Sequence, residues 1–190
     1  MYTFPLMIII GITGTLGAGK GTVVDYLVNK RSFKHYSVRN YLIEEIKKRN
    51  LEVNRDNMVI VANDLRKKFG SNYLALELYK DAKKVGKNSI IESLRTPDEI
   101  LGLRNKGNFV LFAVDADQKK RYKRITERAS ESDKVTFEKF KKDEEREMQS
   151  NDPTKQNLSK CILMADFKFD NNGTIKKLYE EVEKTIEKII

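Results

Sequence analysis

The chain has 190 residues, 39% of them hydrophobic and 34% charged, and a net charge of +9 at pH 7. That is a globular but highly charged chain, long enough for one domain with a sizeable core or for a domain carrying a small mobile insertion. A lone Cys161 excludes an internal disulfide and fits a reducing, cytoplasmic setting, and with His35 the single histidine no zinc site is expected. The basic balance asks for an anionic partner, either a nucleic acid or a phosphorylated small molecule. Lysine pairs such as Lys47-Lys48, Lys83-Lys84 and Lys141-Lys142 are spread evenly along the chain. They read as solvated helix surface rather than as one nucleic-acid stripe.

In chain order, residues 7–13, "MIIIGIT", form a continuous apolar run without alternation, the pattern of a strand covered on both faces. The run is too short to span a bilayer and lacks the basic flank of a signal peptide, so no membrane is expected as a partner. A glycine-rich loop follows, and then Val23, Val24, Leu27 and Val28 at helical spacing. Further helical patterns cover 39–50, 56–69 and 72–86. The run "NSIIES" (88–93) predicts a second strand, 97–106 a helix, and "FVLFAV" (109–114) a third strand. Helical patterns cover 117–130 and 136–149, and "SNDPTKQN" (150–157) is the clearest loop. "DFKFD" (166–170) and 174–190 close the chain as strand and helix. Alternating strands and helices predict a parallel sheet with helices on both faces. The charged stretch 118–150 has little strand character and reads as a helical insertion within a single 1–190 domain.

The loop "GTLGAGKGT" satisfies G-x-x-x-x-G-K from Gly14 to Lys20. After a buried strand the chain must turn tightly and aim successive N–H groups at one point. Gly14, Gly17 and Gly19 permit the dihedrals, and with Thr15 and Ala18 they form a cradle for phosphate. The following helix adds its N-terminal partial charge, and Lys20 a point charge for terminal phosphates. Gly21 stands where a magnesium-binding hydroxyl usually follows the lysine, and the hydroxyl arrives one place later as Thr22.

This "GAGKGT" resembles the adenylate-kinase branch of the P-loop nucleoside monophosphate kinases. The resemblance implies a three-layer α/β P-loop NTPase fold with a short helical lid, ATP as donor, and Mg2+ held mainly through phosphates and water. Thr22 would contact phosphate, and Glu92, at the end of the second apolar run, would orient metal-bound water. Glu92 and Arg95 in "ESLR" are similar to the Asp-Gly-x-x-Arg segment of that family, whose arginine grips the transferring or acceptor phosphate; glutamate for aspartate is a departure. "RYKRITER" is similar to the lid-entrance arginines, so Arg124 and Arg128, four apart on one helix face, are implied to neutralise the transferring phosphoryl group. Arg121 is a further candidate, and Arg146 resembles the downstream lid arginine, with Glu144, Glu145 and Glu147 as alternative ion-pair partners.

On the acceptor side Ser37 matches the family segment, while its arginine position falls on Ile43; Arg39 and Arg66 are the substitutes. The tail "ADFKFDNNGT" looks like the ending of dephospho-CoA kinases, where the turn at Asn171, Asn172 and Gly173 lies near adenine. It also reads as a plain strand-to-helix turn. The function expected is an ATP-dependent small-molecule kinase, monomeric or homodimeric, whose acceptor is a phosphorylated small molecule such as a nucleoside or deoxynucleoside monophosphate. Dephospho-CoA kinase is one alternative, and a non-kinase nucleotide-binding or nucleic-acid-binding regulator is the other.

Overall fold

A computed structural model describes residues 7–128 and 135–190. Its five strands are β1 (Ile9–Gly14), β2 (Lys34–Ser37), β3 (Ser89–Glu92), β4 (Phe109–Asp115) and β5 (Phe167–Asp170). They form one parallel sheet in the order β2-β3-β1-β4-β5. The helices are α1 (Lys20–Arg31), α2 (Val38–Lys48), α3 (Arg55–Phe69), α4 (Tyr73–Val85), α5 (Pro97–Arg104), α6 (Gln118–Arg128), α7 (Phe137–Met148), α8 (Leu158–Leu163) and α9 (Ile175–Ile189).

The central strand β1 is buried at every position, as its unbroken apolar run predicts. Its side chains divide between two cores. Ile10 and Ile12 pack with Val23, Leu27, Val182 and Ile186 of α1 and α9, while Ile9 packs with Leu42, Val61, Leu78 and Ile100 of α2 to α5. Helices therefore cover both faces, and the three-layer expectation holds. Gly11 makes room in the second core: a Cβ there would meet the Phe109 ring at 2.6 Å and Leu94 at 2.8 Å.

Two elements are absent from the pattern read in the sequence. β2, "KHYS", is a four-residue edge strand with Lys34 and His35 exposed, so it carries no apolar run; pairing with β3 creates it. α8 is six residues long and starts where Asn157 Oδ1 accepts from Lys160 N at 3.1 Å. The stretch 118–150 holds α6 and α7, and residues 129–134 of the expected insertion lie outside the described residues. Among the described residues no helix is long and apolar enough to cross a membrane.

Because the sheet is parallel, β1, β2, β3 and β4 all end at one edge. Gly14, Ser37, Glu92 and Asp115 are brought there together, beside the central strand where the strand order switches direction.

Candidate active site

The chain leaves β1 at Gly14 with φ +133°, and an added Cβ would sit 2.0 Å from the Val114 carbonyl oxygen of β4. Gly19, the N-cap of α1, has φ +99°, and a Cβ there would lie 2.1 Å from Asn171 Nδ2. Asn171 donates that same amide to the Ala18 carbonyl at 2.8 Å. Arg124 Nη1 donates to the Ala18 carbonyl at 3.4 Å, and Arg121 Nη1 to that of Leu16 at 3.2 Å. Thr15 Oγ1 donates to Asp115 Oδ1 at 2.5 Å. These braces use the loop's carbonyls and one hydroxyl, so they do not compete with an anion for its N–H groups.

Gly21 is different. It lies in the first turn of α1, its φ is not left-handed, and no atom lies within 4 Å of an added Cβ. The fold itself does not require glycine there, although glycine in a helix costs about 0.5–1 kcal/mol relative to alanine. Gly19→Ala is therefore expected to lose about 1–3 kcal/mol of stability through backbone strain. Gly21→Ala is expected to gain a few tenths to about 1 kcal/mol. Urea denaturation of the two variants checks both signs.

Lys20 points into a cavity of about 510 Å³ and donates through Nζ to the carbonyls of Gly14 at 3.0 Å and Thr15 at 2.7 Å. Burial lowers its pKa to about 8, helped by the Arg95 charge and opposed by Glu92. Glu92 ends β3, with Oε2 3.1 Å from His35 Nε2. Burial pushes its carboxyl up, but the His35 hydrogen bond and the Lys20 charge outweigh that and hold it below the usual carboxylate range. Ser93, the next residue, has φ +72°, a local strain of about 1–2 kcal/mol that turns the chain at the cavity wall.

The cavity brings together most of the residues singled out in the sequence. From the loop and α1 come Gly17, Gly19, Lys20, Gly21 and Thr22. From elsewhere come Arg39, Arg66, Glu92, Arg95, Arg124 and Arg128. Arg124 Nη2 also donates to the Asn171 carbonyl at 2.7 Å, which ties α6 to the turn after β5, and Asn171 and Gly173 of that turn reach the cavity.

Other expected residues are placed differently. Gly14, Thr15 and Ala18 shape the loop from behind rather than lining the cavity. Ser37, expected on the acceptor side, instead caps α2, where Oγ accepts from Asn40 N at 3.3 Å. Arg66 is only 1% exposed and donates through Nε and Nη2 to Glu99 Oε1 at 3.1 and 2.8 Å, so most of its guanidinium serves the core. Arg121 is buried against Glu144 and the Phe140 ring. Arg146 pairs with Asp56 at 2.8 Å and Asp143 at 3.3 Å, not with its glutamate neighbours.

Four residues here carry no motif in the sequence: His35 beside Glu92, and Arg55, Glu147 and Gln156 around Arg95. For Mg2+, the described residues hold no cluster of three or more His, Cys, Asp or Glu side chains. A hard cation bound mainly through phosphate oxygens and water needs only one or two carboxylates. Glu92 supplies one and lines the same cavity as Lys20 and Thr22, so the donor set fits that mode.

Comparison with known proteins agrees with this geometry. The UPF0200 protein TK1334 of Thermococcus kodakarensis is 30% identical over 190 residues, covering 97% of this chain and 98% of its own. TT1252 from Thermus thermophilus superposes with a TM-score of 0.63 at 15% identity, covering 98% of this chain and 100% of that one. Shikimate kinase from Aquifex aeolicus gives 0.56 at 19% identity, covering 95% and 96%. Dephospho-CoA kinase from Campylobacter jejuni gives 0.51 at 16%, covering 97% and 98%. At those identities the structures share the fold, a P-loop fold common to small-molecule kinases. A family model described as an AAA domain matches residues 10–152. The chain belongs to that AAA-domain family of P-loop proteins and to the UPF0200 proteins.

Proposed function

We propose that the chain is an ATP-dependent small-molecule kinase whose acceptor is a nucleoside or deoxynucleoside monophosphate. The observation that carries this reading is one cavity lined both by the glycine loop with its lysine and by an apolar wall accompanied by arginines. The cradle is the loop with Lys20. The wall is Val38 and Leu42 of α2 with Met58, Val59 and Ala62 of α3, edged by Arg39 and Arg95. A flat ring bearing a phosphate matches that combination of apolar face and fixed cations.

In this reading Lys20 swings from the Gly14 and Thr15 carbonyls onto the terminal phosphates, and Thr22 contacts phosphate. Arg124 and Arg128 reach from α6 to offset charge on the transferring group, and Arg95 positions the acceptor phosphate. Mg2+, held through phosphate, water and Glu92, would supply further charge neutralisation. A phosphate oxygen is already anionic at neutral pH, so this acceptor needs no general base, and positioning with charge stabilisation suffices. Closing the cavity keeps water from the phosphoryl group.

A second reading, transfer to a hydroxyl as in dephospho-CoA, is favoured by one observation: the Glu92 carboxylate, braced by His35 at 3.1 Å, is a candidate proton acceptor on the cavity wall. A coupled ADP-release assay across nucleoside monophosphates, deoxynucleotides and dephospho-CoA separates the two. If no acceptor raises ADP formation above the water background, transfer is excluded and the chain is a nucleotide-binding regulator.

Triphosphate affinity has its own pH signature. The ammonium form of Lys20 binds phosphate, and its pKa of about 8 lies below the model lysine value of 10.5. Affinity is expected to be flat below pH 8 and to fall up to about tenfold per pH unit above it. Calorimetric titration of a non-hydrolysable ATP analogue from pH 6.5 to 9.5 reads this directly; a flat profile to pH 9.5 would remove Lys20 from phosphate binding.

A further inference from the structure

Glu147, in the last turn of α7, is 2% exposed, lines the cavity and bridges two arginines there, near enough to Lys20 for its charge to raise that lysine's pKa. Arg55 Nη2, on α3, donates to its Oε1 at 2.7 Å, and Arg95 Nη1 donates to its Oε2. Arg95 Nη1 also donates to Gln156 Oε1 at 2.8 Å. The two guanidiniums hold the Glu147 carboxyl below its ordinary range, although burial pushes it the other way.

The Glu147 carboxylate does not exhaust this site. Arg55 Nε and Arg66 Nη1 are both buried without a hydrogen-bond partner, Arg55 Nε lying 3.7 Å from Asp143 Oδ2, beyond hydrogen-bond reach, and both residues line the same cavity. Each guanidinium offers five N–H donors in a planar fork, while a carboxylate brings two oxygens and one charge. A phosphate monoester brings three terminal oxygens and close to two charges, which match the unused donors better.

We propose that Arg55 and Arg95 form a subsite for a phosphate monoester, and that Glu147 is a tethered carboxylate which occupies it until that phosphate displaces it. This deepens the kinase reading and rests on it for the acceptor's role, while the subsite itself is a matter of anion binding. Displacing Glu147 also loosens α7 from α3. Among the described residues, the remaining ion pairs between those helices are Arg55 to Asp143 at 3.7 Å, Arg146 to Asp56 at 2.8 Å and Lys139 to Asp56 at 3.6 Å, the last two at exposed side chains. Acceptor binding is thereby coupled to movement of α7. A resident carboxylate also lowers the apparent affinity by the fraction of time the site is vacant.

Inorganic phosphate is the probe, titrated into the full chain with the cradle filled by Mg2+ and a non-hydrolysable ATP analogue, and in parallel into Lys20→Ala. Glu147→Gln is expected to tighten phosphate binding about tenfold in both settings. Arg55→Ala is expected to weaken it about 10- to 100-fold, the range for charge-assisted hydrogen bonds. Asp56→Asn, which loosens α7 from outside the cavity, is expected to tighten it about two- to threefold. Unchanged or weaker binding in a folded Glu147→Gln chain overturns the proposal; if that variant does not fold, unchanged binding in Asp56→Asn does so. A chain that binds phosphate as described yet forms no ADP with any acceptor keeps the subsite and loses the kinase reading.

Discussion

Lys20→Ala is expected to lower any nucleotide-dependent turnover by at least about 10²–10³-fold, the loss typical when one preorganised charge-stabilising group is removed. Among the described residues it is the only lysine lining the cavity, and its Nζ already lies within 3.0 Å of the loop's carbonyls. The fold should survive. The ligand-free chain keeps a charged amine in a desolvating site, with a pKa of about 8 against 10.5 for a model lysine. Below pH 8 that group is protonated in both folded and unfolded chains, and the cost of burying its charge is fully present. Between pH 8 and 10.5 the folded chain sheds the proton first, and the cost fades. The variant's melting temperature at pH 7 should therefore equal or exceed that of the unaltered chain, and any excess should shrink as pH rises past 8. Thermal melts at pH 7 and 10, with ATP-analogue titration, test both halves. A variant that folds and keeps its rate within tenfold would show that the loop does not hold the reacting phosphates.

How much of this is legible in the sequence depends on how local the cause is. The glycine loop is legible because its requirements are met within a few residues: Gly14, Gly17 and Gly19 all take positive φ, and the flanking strand and helix announce themselves by their apolar spacing. Four of the five strands are legible: β1, β3 and β4 as apolar runs, since burial on both faces demands them, and β5 through Phe167 and Phe169, which alternate with exposed Lys168 and Asp170. β2 is not, because "KHYS" becomes a strand only when β3 offers a pairing edge. The same distinction divides the site. Arg95 and Arg124 follow recognisable segments, whereas Arg55 and Glu147 acquire meaning only when α3 and α7 meet, 92 residues apart in the chain. Arg66 shows the opposite effect. It reads as a candidate for substrate, but a partner 33 residues away draws most of its guanidinium into the core.

That partner carries the largest expected effect on stability. Glu99 is fully buried and uses both oxygens: Oε1 accepts from Arg66 Nε and Nη2, and Oε2 accepts from the backbone N–H of Arg95 at 2.8 Å and Thr96 at 3.1 Å. The Thr96 contact is half of a capping box at the start of α5, the other half being Thr96 Oγ1 accepting from Glu99 N at 3.2 Å. Glu99→Ala removes every contact of the carboxylate at once and keeps only the backbone N–H bond to Thr96 Oγ1. It leaves the Arg66 charge buried without a counter-ion, with Nη1 already lacking a partner. The expected loss is about 3–5 kcal/mol for the broken buried pair. Loss of the Oε2 bonds to the Arg95 and Thr96 N–H groups adds about 1 kcal/mol. Urea denaturation measures it, and Arg66→Leu in the Glu99→Ala background supplies the control, because removing the second charge should recover part of the loss. A single-variant loss under about 1 kcal/mol, or no recovery in the double variant, would mean that the pair contributes no charge compensation. The effect should extend to the cavity, because Glu99 also anchors the Arg95 backbone. Once that anchor is gone, the guanidinium facing Glu147 loses its fixed base, and phosphate affinity should fall even in the fraction of chains that remain folded.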